Sequence, residues 1–180
     1  MNRNATTLAG LGDTSDLVRS TMASPVGELT LIASPRGLRA VLWPGEFDRF
    51  ESVTHADDST ADAKEVLAAA IGQLEEYFAG ERHDFDLPLD PVGTDFQQSA
   101  WGELRKIPYG QTISYGEQAR RLGDVRKSRA VGAANGRNPI SIIVPCHRVV
   151  GSNGSLTGFA AGVEAKAWLL HHEQGTQTLL

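Results

Sequence analysis

The chain has 180 residues, 41% of them apolar and 22% charged, with a net charge of −5. That length suits one ordinary domain or two small ones with a sizeable core, and the composition is that of a soluble globular protein. No apolar run approaches the roughly 20 residues that a membrane helix needs, so no membrane partner is expected. Residues 1–16 are small and polar and carry a single Arg, which reads as a disordered tail and not as a secretory signal. The expected location is the cytoplasm.

Charge is unevenly spread. Residues 1–90 hold 7 Lys/Arg against 16 Asp/Glu, a net −9, whereas residues 91–150 hold 9 against 4, a net +5. A basic segment beside an acidic one fits either an anionic partner or an ordinary solvated surface. The lone cysteine, Cys146, excludes an internal disulfide and a multi-cysteine zinc site. It is either a buried small hydrophobe or a reactive thiol.

In chain order, Leu17 to Ser24, Glu28 to Ala33 and Leu38 to Trp43 read as three strands separated by the turns Pro25-Val26-Gly27 and Pro35-Arg36-Gly37. Residues 44–61 read as a loop. Ala61 to Ala79 reads as a helix with Leu67, Ala70, Ile71, Leu74 and Phe78 on one apolar stripe, stopped by Gly80. The Pro- and Gly-containing stretch Asp86 to Gly93 marks a domain boundary. Thr94 caps a helix that runs to about Lys106, with Phe96, Trp101 and Leu104 as its apolar contacts.

Ser114-Tyr115-Gly116-Glu117 fits a capping box opening a helix to Leu122-Gly123, and a second helix spans Val125 to Asn135. Two short helices on a glycine turn form a helix-turn-helix pattern, in which the second carries Arg126, Lys127 and Arg129 among small residues such as Ser128 and Ala130. Such a pair either binds DNA or merely packs. The apolar run Ile140 to Val144 then leads into Pro145-Cys146-His147-Arg148, and a last helix covers Val163 to Glu173. Delivery of Cys146 from a buried run into a loop suits a nucleophile, and His147 is either the base that ionises it or a structural histidine.

Pro145-Cys146-His147-Arg148-Val149-Val150 resembles the active-site motif of the O6-alkylguanine-DNA alkyltransferases. Ile107-Pro108-Tyr109-Gly110, Ile113-Ser114-Tyr115, Ser128-Arg129-Ala130-Val131-Gly132, Asn138-Pro139 and Lys166-Ala167-Trp168-Leu169-Leu170 fall in the same order and spacing as in that family. The resemblance covers residues 94–174 strongly and 17–90 in general shape. It implies an α+β protein: a small N-terminal strand-and-helix domain over 17–90, then a mostly helical C-terminal domain over 91–175 with a helix-turn-helix and an active-site loop. It also implies irreversible transfer of an alkyl group from O6-alkylguanine in double-stranded DNA to Cys146, by a monomer that needs no cofactor, no metal and no obligate protein partner.

The resemblance assigns further roles. His147, through a water, and Glu173 would form a proton relay that makes the Cys146 thiolate, and Asn138 would brace the turn before it. Tyr115 would donate a hydrogen bond to the guanine ring, with Val149, Phe159 and Ala160 lining the pocket. Arg126, Lys127, Ser128, Arg129 and Ala130 would contact DNA, Arg129 filling the space left by the flipped base. Phe159 and Ala161 depart from the tyrosine and glycine usual in the family's pocket loop. A single cysteine leaves no place for the metal-binding phosphotriester-repair domain that some members carry. The competing readings are a non-catalytic relative that binds alkylated DNA, a helix-turn-helix regulator and a cysteine hydrolase. Cys146 argues against the first, since such relatives carry tryptophan there. The Pro-Cys-His segment is unexplained by the second, and the third requires turnover that a stable thioether does not allow.

Overall fold

The computed structural model describes residues 12–46, 53–55 and 61–175. The chain divides into two compact units between Val92 and Gly93.

In the first unit, strands β1 (Val18–Met22), β2 (Leu29–Ser34), β3 (Gly37–Leu42) and β4 (Thr54–His55) form a sheet in the order β3-β2-β1-β4. The first three are antiparallel neighbours, with Val18 opposite Ala33 and Thr30 opposite Leu42, and β4 runs parallel to β1. Helix α1 (Ala61–Phe78) packs on β1, β2 and β3. Its buried face is Ala63, Val66, Leu67, Ala70, Leu74 and Tyr77. The expected stripe is therefore rotated, and Ile71 and Phe78 lie half-buried at its margin. β2 and β3 are buried along their whole length, and Leu17, Ile32, Ala40, Leu42 and Val53 form a core cluster.

Two expectations need correction here. The loop expected over 44–61 contains β4, a two-residue strand too short to show any alternation. Of the expected tail, residues 1–11 lie outside the described residues, but 12–16 form a turn in which Leu17 N donates to Thr14 O. The stretch Asp86–Gly93, expected to mark the domain boundary, contains the division between the two units and runs along β3 as far as Asp90. Leu38 N donates to Pro88 O and Asp90 N to Leu38 O, each at 2.8 Å. Asp90 also accepts from Ser34 (2.6 Å) and from the buried Arg39 (2.5 Å). The β3 edge is thus covered and held by an ion pair.

The second unit contains helices α2 (Asp95–Leu104), α3 (Tyr115–Arg121), α4 (Ser128–Asn135) and α5 (Val163–Glu173), with the two-residue strands β5 (Ile113–Ser114) and β6 (Val149–Val150) paired in parallel. The full capping box sits at α2, where Thr94 and Gln97 satisfy each other's backbone N–H. At α3 only half of the expected box forms. Ser114 accepts from Glu117 N at 3.1 Å, but the Glu117 carboxylate turns to Arg120 and Arg121. The expected second helix begins as a 3-10 turn, Val125–Lys127, capped by Asp124, and becomes α-helical at Ser128.

α2, α3 and α4 are joined by buried polar bonds. The Gln118 and Asn135 amides exchange two hydrogen bonds, 2.7 and 3.1 Å, and Gln118 also donates to Ala100 O at 3.0 Å. Trp101 Nε1 donates to Ala134 O at 2.8 Å. A buried amide left without its partner costs about 1–3 kcal/mol, whereas replacing both partners by apolar groups is nearly neutral. We therefore expect Gln118→Leu to lower stability by about 2 kcal/mol and Gln118→Leu/Asn135→Leu to recover more than half of that, as measured by urea unfolding. Additive losses in the double variant would mean that the amide pair is not coupled.

Candidate active site

Cys146 lies on a 3-10 turn, Cys146–Arg148, between the packed segment Ile140–Val144 and β6. All three residues of the turn are buried, and His147 is fully so. The turn is held from two sides by α5, whose buried stripe is Lys166, Leu169, Leu170 and Glu173. Lys166 and Glu173 are seven residues apart, two helical turns, and so share a face. An otherwise apolar stripe thus delivers an ammonium at one end and a carboxylate at the other.

Glu173 accepts four hydrogen bonds. Its Oε1 takes His147 Nε2 at 2.6 Å and Arg148 Nη2 at 3.0 Å. Its Oε2 takes Arg148 Nε at 2.8 Å and Gly110 N at 3.1 Å. Arg148 Nη1 donates to Ile107 O at 2.6 Å, and the guanidinium lies 5.8 Å from the Tyr109 ring centre. Gly110 stands at φ 74°, and a Cβ there would come within 3.1 Å of Glu173 O, so the position needs glycine twice over.

Burial works against the Glu173 charge, but the bonds and charges of His147 and Arg148 outweigh it and hold the carboxyl well below the usual range. Burial pushes His147 below its ordinary value despite the pull of Glu173. At neutral pH the pair is therefore an ionised Glu173 and a neutral His147, with Arg148 as the permanent counter-charge. Nε2–H faces the carboxylate, which leaves Nδ1 as the basic atom of the ring, and Nδ1 is buried without a partner among the described residues.

At the sulfur, burial pushes the Cys146 thiol up, while the polar side chains of Asn138 and Ser141 and the charge of Lys166 pull it back. A thiol in this setting needs a base to ionise, and a buried neutral imidazole fixed by a carboxylate is such a base. Asn138 also spans the turn before the cysteine, donating to Val144 O at 2.7 Å and accepting from Ile140 N at 3.0 Å. Lys166 donates to Val149 O (2.5 Å), Thr157 O (2.9 Å) and Tyr115 Oη (3.4 Å). Tyr115 Oη itself donates to Thr157 O at 2.9 Å. The tyrosine expected to meet a guanine ring is thus bonded to the loop 151–162, whose Phe159 and Ala160 are half-buried.

Cys146, His147, Glu173, Asn138, Val149 and Tyr115 are brought together. The residues expected to meet DNA form a separate surface. Arg129 and Ala130 are exposed on the first turn of α4, and Ser128 is half-buried. Arg126 and Lys127 precede the helix. Arg126 pairs with Asp124 at 3.0 Å, and Lys127 lies over the Phe96 ring. Sequence reasoning gave no role to Arg148, Lys166 or Ser141. The signal for Lys166 was its place seven residues before Glu173 on a helix, and for Arg148 its place beside His147.

Two family descriptions match the chain. The 6-O-methylguanine DNA methyltransferase ribonuclease-like domain matches residues 17–91, and the DNA binding domain of the same family matches residues 95–175. With both matches spanning most of its length, the chain belongs to the 6-O-methylguanine DNA methyltransferase family. It is 48% identical over 150 residues to a methylated-DNA--protein-cysteine methyltransferase of Methanosarcina acetivorans, covering 83% of this chain and 94% of the relative. It is 47% identical over 154 residues to the protein of that name from Mycobacterium tuberculosis, covering 86% and 90%. The crystal structure of the M. tuberculosis O6-methylguanine methyltransferase superposes with a TM-score of 0.78 at 42% identity, over 91% of this chain and 96% of that one. The structure of M. tuberculosis OGT in complex with DNA gives 0.79 at 44% identity, over 88% and 94%. No described helix is long and apolar enough to cross a membrane.

Glu173 is held in its charged form by folding, so its contribution to stability is present above the ordinary glutamate value of about 4.3 and is lost as pH falls below it. Removing one partner of a buried ion pair costs about 3–5 kcal/mol. Glu173→Gln is expected to lose that much at pH 7 and to show a shallower fall in stability below about pH 4.3. Denaturant unfolding across the acid range measures both. A variant with the parent's acid dependence would locate that charge elsewhere.

Proposed function

We propose that this protein repairs DNA by direct reversal, taking the alkyl group of O6-alkylguanine in duplex DNA onto Cys146 in a single irreversible event. The observation that carries the reading is the buried Cys146 turn, in which the next residue is a neutral imidazole fixed by an ionised carboxylate. The thiol proton passes to His147 Nδ1, by the water relay that the family resemblance implies. The thiolate attacks the alkyl carbon in line, the carbon–sulfur bond forms as the carbon–oxygen bond breaks, and the bonding pair leaves on the guanine. A hydrogen bond from Tyr115 meets the developing charge on the guanine ring, which requires its hydroxyl to leave Thr157 O.

The alkylated oxygen is out of reach inside a duplex, so the base must leave the stack. α4 enters the minor groove, where its exposed small residues permit close approach and Arg129 replaces the flipped base. Ser128 and Ala130 lie against the backbone and Lys127 and Arg126 meet phosphates. Val149, Phe159 and Ala160 line the pocket. The protein acts as a cytoplasmic monomer without a cofactor.

The thioether product has no route back to the thiol. Incubation with excess methylated duplex is expected to add one methyl group per protein on the Cys146 peptide and then stop, read by intact mass and peptide mapping. Cys146→Ala should abolish transfer and keep duplex affinity. Turnover beyond one equivalent, or transfer by the Cys146→Ala protein, would overturn the reading. Arg129→Ala should slow repair of a paired lesion by about tenfold or more, because unstacking costs a few kcal/mol. It should hardly change reaction with a free O6-alkylguanine base. Equal losses on both substrates would place Arg129 in the fold and not in base extrusion.

A further inference from the structure

Helix α4 packs on α2 and α3 through the buried Val131, Ala134 and Asn135. On its opposite side Arg129, Ala133 and Arg137 follow one another at intervals of four residues, with Ala130 beside them, and all four are exposed. Arg137 belongs to this stripe because the backbone stays helical through the cap. Gly136 has φ −65° and ψ −15°, and Arg137 N donates to Ala134 O at 3.1 Å. The stripe is thus a floor of methyl groups between two arginines, whose Cα atoms lie about 12 Å apart along the axis at 1.5 Å per residue.

The chain around this stripe carries no carboxylate. Asp and Glu make up 22 of the 180 residues, yet none occurs from Val125 to Val163, a stretch that holds Arg126, Lys127, Arg129, Arg137 and Arg148. Arg126 is paired with Asp124, Lys127 lies over the Phe96 ring and Arg148 is taken up by Glu173. Arg129 and Arg137 make no ion pair among the described residues. Arg137 stands just beyond the C-terminus of α4, where the last carbonyls carry a partial negative charge that repels a phosphate. A cation there, answered by no carboxylate, turns that end of the helix from repelling to attracting.

We propose that Arg137 binds a backbone phosphate of duplex DNA and is the second anchor of α4, Arg129 being the first. This rests on the reading that α4 enters the minor groove. A helix with its side chains is about 10–12 Å across and the minor groove about 6 Å wide, so a helix that inserts its first turn leaves its far end outside the groove. The duplex presents phosphate oxygens there and not base edges, and a phosphate contact positions a protein without reading sequence. Two anchors on one stripe also fix the direction in which α4 crosses the groove, whereas a single inserted arginine leaves the helix free to pivot.

The test measures the affinity of Arg137→Ala, Arg137→Lys and Arg105→Ala for a methylated and an unmodified duplex over a range of salt concentrations. Arg105 is the control: it is exposed and makes no ion pair among the described residues, but it stands at the end of α2 and off the stripe. Arg137→Ala should bind both duplexes about fivefold more weakly, the size of one exposed ionic contact. Its plot of log affinity against log salt should be less steep by about 0.9, the mark of one phosphate no longer neutralised. Arg137→Lys should keep the parent's slope, since a point charge suffices for a phosphate. Arg105→Ala should keep both slope and affinity. An Arg137→Ala protein with the parent's slope would overturn the proposal, and a lowered melting temperature beside that slope would assign Arg137 to the helix terminus instead. Equal losses in Arg105→Ala would also overturn it, by making the effect one of net charge. A parent protein without affinity for duplex DNA would overturn the minor-groove reading itself.

Discussion

A charged carboxylate sits where water does not reach, and the rest of the catalytic unit is arranged around keeping it charged. Glu173, carried by α5, draws donors from two other stretches of chain: the turn at Gly110 and the turn at His147 and Arg148. Taking an ion out of water costs several kcal/mol, and only near-ideal geometry with every lone pair satisfied offsets it. Arg148 meets that demand with a two-pronged contact, the arrangement a guanidinium favours. Three segments that share a buried ion cannot drift independently. The cysteine turn is therefore fixed by the residues that follow the nucleophile, and the imidazole beside it is locked into one tautomer.

Some of this was legible in the residues and some was not. Strands β1 to β3 and helices α1, α2 and α5 follow from apolar period and caps, and Thr94 was a readable start of α2. β4 and the 88–90 pairing were not, because two or three residues carry no period and their partners lie far away in sequence. The Ser114–Glu117 pattern misled for a physical reason: Arg120 and Arg121 lie three and four residues on, and the carboxylate prefers a cation to a backbone N–H. At the site, the family resemblance pointed to Cys146, His147, Asn138 and Glu173 together. It gave no sign that Arg148 is an internal group or that the buried Ile142 would take a left-handed backbone at φ 76°, since neither identity nor spacing encodes them.

The basic character of residues 91–150 also changes meaning once the side chains are placed. Arg148 faces inward and contributes nothing to the outer surface. Arg120, Arg121 and Arg126 are engaged by Glu117 and Asp124, while Arg105 is exposed after α2 and Arg129 and Arg137 on and just after α4. The Arg126–Asp124 pair is largely in solvent, and exposed pairs of this kind are worth little. Such an arginine is held in place yet easily given up to a phosphate, so the counted charge understates how readily the surface reorganises toward an anion.

β5 and β6 are only two residues each, yet they pair directly, Ile113 with Val149 and Ser114 with Val150. Ser114 is at once the last residue of that ladder and the cap of α3. Helix and ladder are therefore contiguous, with no spare residue between the start of the helix-turn-helix and the strand that leaves the cysteine turn. This makes the ladder a gauge of fixed length. Chain length added at the Ser152–Gly154 turn is absorbed in solvent, whereas a residue added between Ser114 and Tyr115 would turn the helix about its axis and carry Tyr115 off the pocket. Evolution and engineering are therefore free to vary this protein at its loop tips and are confined at this joint, where a change of length is a change of aim.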